Sequence, residues 1–487
     1  MNPLDEQAQT VEATASDLSQ GRPLTLMQRR RFIQAAAGAT AGVAMGPTLF
    51  AGAAGAQTTG TDTILLTVTL GGGNDGLNTV GPFGDGTYQD LRRNLAIGAG
   101  SGHSVGEGHY FHPNLRRLAT RYRRGDVAVI RGVGDPQLDH SHFSNLARWM
   151  SANPGGAITG TGWLGRWLDA NASGPFTGIA IGGQGVPLHM RGTTADVTDL
   201  PRHGGGLYGS DRSEQRDQRM YRAIRQMGAS DNRAPWVNRV GEVMAQSIDT
   251  AQSVAAGYPE ELPEELLASD MVLAARVINL NLGTRVLNIS QNGYDTHDNQ
   301  VGASSTTGDH ADLLEELDAG LDSFFATLTP AMAERVVVMI YSEFGRRAEP
   351  NGSRGTDHGT SNNVFLIGRR VKGGLFGDPP SLRSLDDRGD FKTTMDFRRV
   401  YSNVLEEGLG PLASRCSVAH SEVPLESLAR RKEPFRPGLT DFALFAAKTQ
   451  RITCEAAPQR SESSGPSETL ASSVSWGRLC AEVPVRG

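Results

Sequence analysis

An α/β fold, with a largely parallel sheet covered by helices on both faces, is predicted from three observations. Short apolar, β-branched runs alternate along the chain with longer stretches of helical spacing. The run at 335–341 (RVVVMIY) is almost continuously apolar, as in a strand buried on both faces. Polar, glycine-bearing clusters follow directly on these runs, where a parallel sheet presents its ligand-binding loops.

The elements follow in order. Residues 63–70 (TILLTVTL) read as the first strand and stop at three glycines. A Leu- and Arg-rich helix at 114–124 leads to a strand at 127–133 (VAVIRGV), followed by a helix at 143–152 and a strand at 176–181. Three helical stretches, 213–227, 235–256 and 263–282, precede a strand at 285–290 (RVLNIS). Leu313, Leu314, Leu317, Leu321, Phe324 and Phe325 give 309–328 helical spacing. The buried strand 335–341 comes next, and 364–368 (VFLIG) is the last core strand. From about residue 448 the chain turns Ser/Glu/Pro-rich and loses periodicity, so 448–487 reads as a flexible tail.

Composition bounds the function. The 487 residues are 38% hydrophobic and 21% charged, enough apolar material for a sizeable core. A net charge of -6 carries no electrostatic footprint for nucleic acid. Cys416, Cys454 and Cys480 are too few and too late for a disulfide scaffold or a cysteine zinc module. The N-terminus reads as an export address. QRRRFIQ (28–34) looks like a twin-arginine signal with Arg29 and Arg30 as the pair, a weakly apolar stretch follows at 35–49, and Ala54-Gly55-Ala56 offers cleavage. Pro47 argues against the rival reading, a spanning anchor. The expected organisation is a signal peptide at 1–56, one α/β domain at 57–447 and the tail. The expected location is periplasmic or secreted, by way of the twin-arginine machinery and without stable membrane insertion.

Four polar clusters follow strands. In the first, Asp75 sits after the turn Gly72-Gly73 and is either a ligand at the sheet edge or a helix cap. In the second, Ser141 between His140 and His142 opens a helix, so either Ser141 is a nucleophile facing free N–H groups or Ser141 or Asp139 is a cap. In the third, Asp295 and His297 stand at i and i+2 of an extended segment and can reach one cation together. In the fourth, Glu343 ends the most apolar strand, so its burial calls for a cation or an arginine partner, Arg346 or Arg347. Just downstream, glycines flank Asp357 and His358. Oxygen and nitrogen donors without cysteine suit one or two divalent ions, Zn, Mn, Mg or Ca, and histidine tilts the choice toward a transition metal.

Together these residues resemble an exported bacterial family, domain of unknown function 1501. The segments that carry the resemblance are GGNDGLNTV (72–80), HSHFSNLARWMSA (140–152), GYDTHDNQ (293–300), SEFGRR (342–347), NGSRGTDHG (351–359) and DFRRVYSNVLEEGLG (396–410). That family looks like a branch of the alkaline-phosphatase and sulfatase superfamily. The resemblance implies a three-layer α/β/α sandwich with metal ligands Asp75, Asp295, His297, Glu343 and His358, and Ser141 at the nucleophile position. Phe344 stands where the superfamily has a further histidine, and Asp357 is the implied replacement. No sulfatase maturation motif occurs at Ser141 or at any cysteine. The activity expected is hydrolysis of phosphate or sulfate esters, on a small molecule or a glycan. A nearby cation, His140 or His142 would activate Ser141, and Arg346 would stabilise charge. The alternative is an exported binding or scaffold protein that keeps the fold without catalysis.

Overall fold

The computed structural model describes residues 62–153, 157–202, 215–228, 235–258 and 262–409. The Arg29–Arg30 signal, the three cysteines and the 448–487 tail lie outside them.

Among the described residues the main sheet has nine strands. They are drawn from β1 (Ile64–Gly71), β5 (Val127–Gly134), β6 (Gly178–Ile181), β7 (Thr198–Leu200), β8 (Val286–Asn292), β9 (Val336–Tyr341), β10 (Asn362–Ile367), β11 (Gly374–Phe376) and β12 (Met395–Asp396). The order is β11-β5-β10-β9-β1-β8-β6-β7, and β12 also pairs with β5. All pairings are parallel except those of β10, which runs against both β5 and β9. A second sheet of three strands holds β2 (Val80–Gly81), β3 (His103–Gly106) and β4 (His109–Phe111).

Alternation along the strands sorts the core into two layers. On β1, Ile64, Leu66, Val68 and Leu70 face one side and Leu65 the other; on β9, Val336, Val338 and Ile340 oppose Val337, Met339 and Tyr341. We number the helices α1 (Gly76–Thr79), α2 (Gly86–Arg92), α3 (Arg116–Arg123), α4 (His142–Ser151), α5 (Trp163–Asn171), α6 (Gln215–Gly228), α7 (Pro235–Val254), α8 (Leu266–Asn279), α9 (Asp309–Thr327), α10 (Pro330–Ala333) and α11 (Phe397–Asn403). Helices α3, α8 and α9 cover the first face; Met271, Leu314, Leu317 and Phe324 come from them. Helices α4, α5 and α11 cover the second, where Trp149 stacks between Tyr341 and Phe397. This is the three-layer α/β/α arrangement. Among the described residues no helix is long and apolar enough to cross a membrane.

The topology explains why distant loops meet. β1 sits between β8 and β9, so the chain leaves three neighbouring parallel strands at one edge. β5 points the same way, and β10, being antiparallel, starts at that edge.

Candidate metal centre

Four loops deliver the site. Asp295 and His297 follow β8, Glu343 and Arg346 follow β9, Asp357 and His358 precede β10, and His142 opens α4. The loops are packed backbone to backbone. Gly72 has φ +119, and a side chain there would meet the Asp295 backbone nitrogen at 2.4 Å; at Gly355 it would meet the His297 carbonyl at 2.2 Å.

Three imidazoles converge on one carboxylate oxygen. Asp295 Oδ1 lies 3.3 Å from His142 Nε2, 3.0 Å from His297 Nε2 and 3.2 Å from His358 Nε2. His297 Nε2 and His358 Nε2 are 2.9 Å apart. The opposite nitrogen of each ring is held by oxygen: His142 Nδ1 by Glu343 Oε1 at 2.8 Å, His297 Nδ1 by Asp357 Oδ1 at 3.2 Å, and His358 Nδ1 by the His140 carbonyl at 2.8 Å. An oxygen acceptor at Nδ1 takes the ring proton there and leaves the Nε2 lone pair facing the centre. His142 Nε2 is buried and makes no hydrogen bond. Three inward lone pairs beside a carboxylate repel one another unless a cation stands between them. Ligand atoms of His142, Asp295 and His358 lie within 4.8 Å of one another, close enough to share an ion. The donor set therefore fits a metal, and nitrogen-rich ligation suits Zn or another transition ion better than Ca or Mg.

Hydrogen bonds, charges and burial act on the site in both directions. The Glu343 hydrogen bond, aided by the charges of Glu343 and Asp295, raises the His142 imidazole above its ordinary value against the pull of burial. Burial alone would raise the Asp295 carboxyl, but the Arg346 hydrogen bond and charge, with His358 and His142, hold it down to about 2. Burial draws His358 below its ordinary value.

Several expected roles change. Asp75 is not among the converging residues. Its two oxygens accept from Arg92 at 2.7 and 2.8 Å and from Gln300 at 2.6 Å, and neither partner side chain of the Asp75–Arg92 pair is exposed. It also accepts from the Asn78 backbone at the start of α1, so the capping alternative describes its geometry. Glu343 is partnered by His142, by the Gly72 N–H at 2.9 Å and by the Ser342 hydroxyl at 3.0 Å, not by Arg346 or Arg347; it supports a ligand instead of facing the centre. Asp357 likewise lies behind His297. Arg346 is 1% exposed and donates to Asp295 and to the carbonyls of Gly72, Gly73, Tyr294 and Thr356. Through these bonds it clamps three loops from a buried position. His142, expected as an activator of serine, is a member of the converging set.

Ser141 is exposed at the start of α4 and makes no side-chain capping bond. Asp139 ties this turn to the helix, accepting from the Ser141 N–H, Ser144 Oγ and Asn145 Nδ2, and the first helical N–H groups take no side-chain cap. Sequence reasoning missed Asp390 and the part His140 plays through its backbone carbonyl. His140 has φ 62 and is held by Asp390 Oδ2 at 2.9 Å, and this strained turn aims its carbonyl at His358. The glycine-free His-Ser-His turn carried no signal of a left-handed residue.

Comparison with known proteins adds a family. The family model described as protein of unknown function (DUF1501) matches residues 134–388, more than half of the chain and the whole of the converging cluster. The chain belongs to this family. The DUF1501 span begins beyond Asp75 and Arg92, so the buried pair is not part of what the model matches. No curated protein matches the sequence. Solved structures that resemble this DUF1501 chain include the PsFucS1 sulfatase from Pseudoalteromonas sp., with 13% identity, 74% of this chain and 72% of that one covered, and a TM-score of 0.32. Another is the alkaline phosphatase from the Antarctic bacterium TAB5, with 10% identity, 65% and 95% covered, and a TM-score of 0.26.

Proposed function

We propose that the protein is an exported, metal-dependent hydrolase of phosphate or sulfate esters, with one ion held by His142, Asp295, His297 and His358. The convergence of three Nε2 atoms on Asp295 Oδ1, each ring anchored from behind by oxygen, is the observation that carries this reading. A bound ion would polarise an ester oxygen and lower the pKa of a hydroxyl or water beside it. The chain's own residues supply the rest. Ser141 lies between two residues of the site, and its hydroxyl is exposed and uncommitted. The N–H groups at the start of α4 face developing negative charge. Glu343 holds a proton at His142 Nδ1, and Asp357 holds one at His297 Nδ1, which keeps both rings oriented. Arg346 fixes Asp295 in place.

The test is metal analysis of protein folded in its native host, followed by turnover of p-nitrophenyl phosphate and p-nitrophenyl sulfate. About one ion per chain, with turnover lost on its removal and restored on its return, is expected. Absence of a bound transition ion would overturn the metal reading. Phe344 favours the scaffold alternative: its ring packs 4.9 Å from His142 and 4.8 Å from His358, an apolar wall where a further donor would widen the site. Metal bound at full occupancy with no ester turned over would select that alternative. Export rests on the sequence motif; replacing Arg29 and Arg30 by Lys is expected to leave the precursor in the cytoplasm.

A further inference from the structure

His140 makes two bonds in different directions. Its carbonyl accepts the Nδ1–H of His358 at 2.8 Å, and its ring Nε2 donates to Asp390 Oδ2 at 2.9 Å. His142 follows two positions later, its ring centroid 4.3 Å from that of His358. His140 therefore stands at the junction of the α4 entry and the segment before β10, each of which carries a converging imidazole. Its positive φ is uncommon for a residue with a side chain and persists only where the surroundings hold it.

Asp390 is the group that holds it. The Asp390 side chain is fully buried, and among the described residues its carboxylate makes one hydrogen bond, the one from His140; Oδ1 makes none. Arg347 Nε and Arg388 Nε stand 3.3 and 3.6 Å from the carboxylate and offset its charge, which a buried carboxylate requires. The backbone around Asp390 is tied down as well. Its N–H donates to Asp386 Oδ1 at 2.8 Å, and its carbonyl accepts the Asp386 N–H at 2.9 Å. The next carbonyl, of Phe391, accepts the Thr360 hydroxyl, two positions from His358. Asp390 is thus anchored to the chain that carries His358, and from there it reaches the His140 ring.

We infer that Asp390 is a positioning residue of the centre. Through the His140 ring it holds a left-handed turn, and the carbonyl of that turn keeps a proton on His358 Nδ1 and turns Nε2 toward the ion. This role rests on the metal reading of the same centre.

The test uses the full chain at pH 8. The His358 Nδ1 proton is expected in proton–nitrogen correlation NMR as a low-field resonance that exchanges slowly with water, in metal-free as well as in zinc-loaded protein. Asp390→Ala is expected to bring that proton into fast exchange and to lower zinc affinity about tenfold, the lower end for loss of a partner behind a ligand. His140→Gly approaches the same bond from the other side. Glycine takes the positive φ without strain and keeps the carbonyl, but offers Asp390 no ring. The circular dichroism spectrum is expected to hold, while the His358 proton and the zinc affinity change as in Asp390→Ala; this variant decides the matter if Asp390→Ala does not fold. His140→Gln, whose amide nitrogen reaches the place of ring Nε2, is expected to restore slow exchange and most of the affinity.

A merely structural Asp390 would lower the urea midpoint and leave the His358 resonance and the zinc affinity of the folded fraction unmoved; that result would overturn the inference. A fast-exchanging His358 proton in the unaltered chain would overturn it too, as would His140→Gly indistinguishable from that chain. An unaltered chain that binds no zinc would overturn the metal reading, and exchange of the His358 proton, read without metal, would still decide whether Asp390 positions the ring.

Discussion

Asp75 and Asp295 invite comparison. Each follows a strand of the parallel sheet, each is paired with an arginine, and each stands beside a histidine-bearing loop. Yet the Asp75 side chain is fully buried with Arg92, whereas Asp295 is 47% exposed and meets three imidazoles. Burial pushes the Asp75 carboxyl up, but Arg92 and His310 outweigh it and hold it below its ordinary value. Both carboxylates are therefore ionised, and ionisation does not separate them. What separates them is the remaining coordination. The oxygens of Asp75 are saturated by Arg92, Gln300 and the Asn78 N–H, while Asp295 Oδ1 takes one Arg346 N–H and stands against three imidazole nitrogens. A carboxylate at a strand end is open to an ion only where its neighbours leave it unsatisfied.

The largest contrast comes from deleting each carboxylate. Asp75→Ala strands a buried guanidinium and is expected to cost about 3–5 kcal/mol, read by urea unfolding. Metal content of the folded fraction should stay unchanged. Asp295→Ala is expected to do the reverse: loss of stability under about 1 kcal/mol in the metal-free protein, because four carbonyls still hold Arg346, and metal affinity down by more than about 100-fold, the upper end for loss of even an outer partner. Equal effects of the two changes on metal binding would erase the distinction. Glu343→Gln keeps the shape and weakens the acceptor behind His142; metal affinity is expected to fall about 10- to 100-fold by calorimetry.

Histidines repeat the contrast. His112 and His189 are pushed by burial down to about 3, and His310 to about 4. They stay neutral in the folded chain, while the unfolded chain takes up protons near pH 6.5. Between about pH 6.5 and pH 4 the unfolded state thus binds more protons, and stability falls as pH falls. Urea midpoints of metal-free protein at pH 7, 5.5 and 4.5 should decline in order, and His189→Leu should flatten the slope. The smallest effect concerns α4. Ser141→Ala is expected to stop ester turnover and leave the unfolding midpoint in place. Asp139→Ala, which removes the acceptor shared by Ser141, Ser144 and Asn145, should cost about 1 kcal/mol.

Much of the fold was legible because the strands are short apolar runs between helices of regular period. β1, β5, β8 and β9 fall within two residues of their expected ends. The β2–β4–β3 sheet, β7, β11, β12 and α5 were not anticipated. The small strands are too short to show an alternation, and Trp163–Asn171 mixes glycine and charge into its pattern. The direction of β10 was also hidden, since periodicity reports burial and not polarity. At the site, Asp295, His297 and His358 stand together in the structure because residue type and loop position sufficed to mark them. The sequence alone left Asp75 between ligand and cap: Arg92 and Gln300, which bond its carboxylate, stand 17 and 225 positions away and carry no local signal.

The left-handed turn, the antiparallel strand and the interleaved loops share a consequence for how the chain matures. His142 and its support Glu343 are separated by 201 positions, and His297 and His358 by 61. Closing such loops is slow and unfavourable until the whole sheet has assembled. No fragment of the chain can present the three nitrogens together. On the metal reading, an ion would enter late in folding, after the loops beyond β8 and β9, before β10 and at the start of α4 have met.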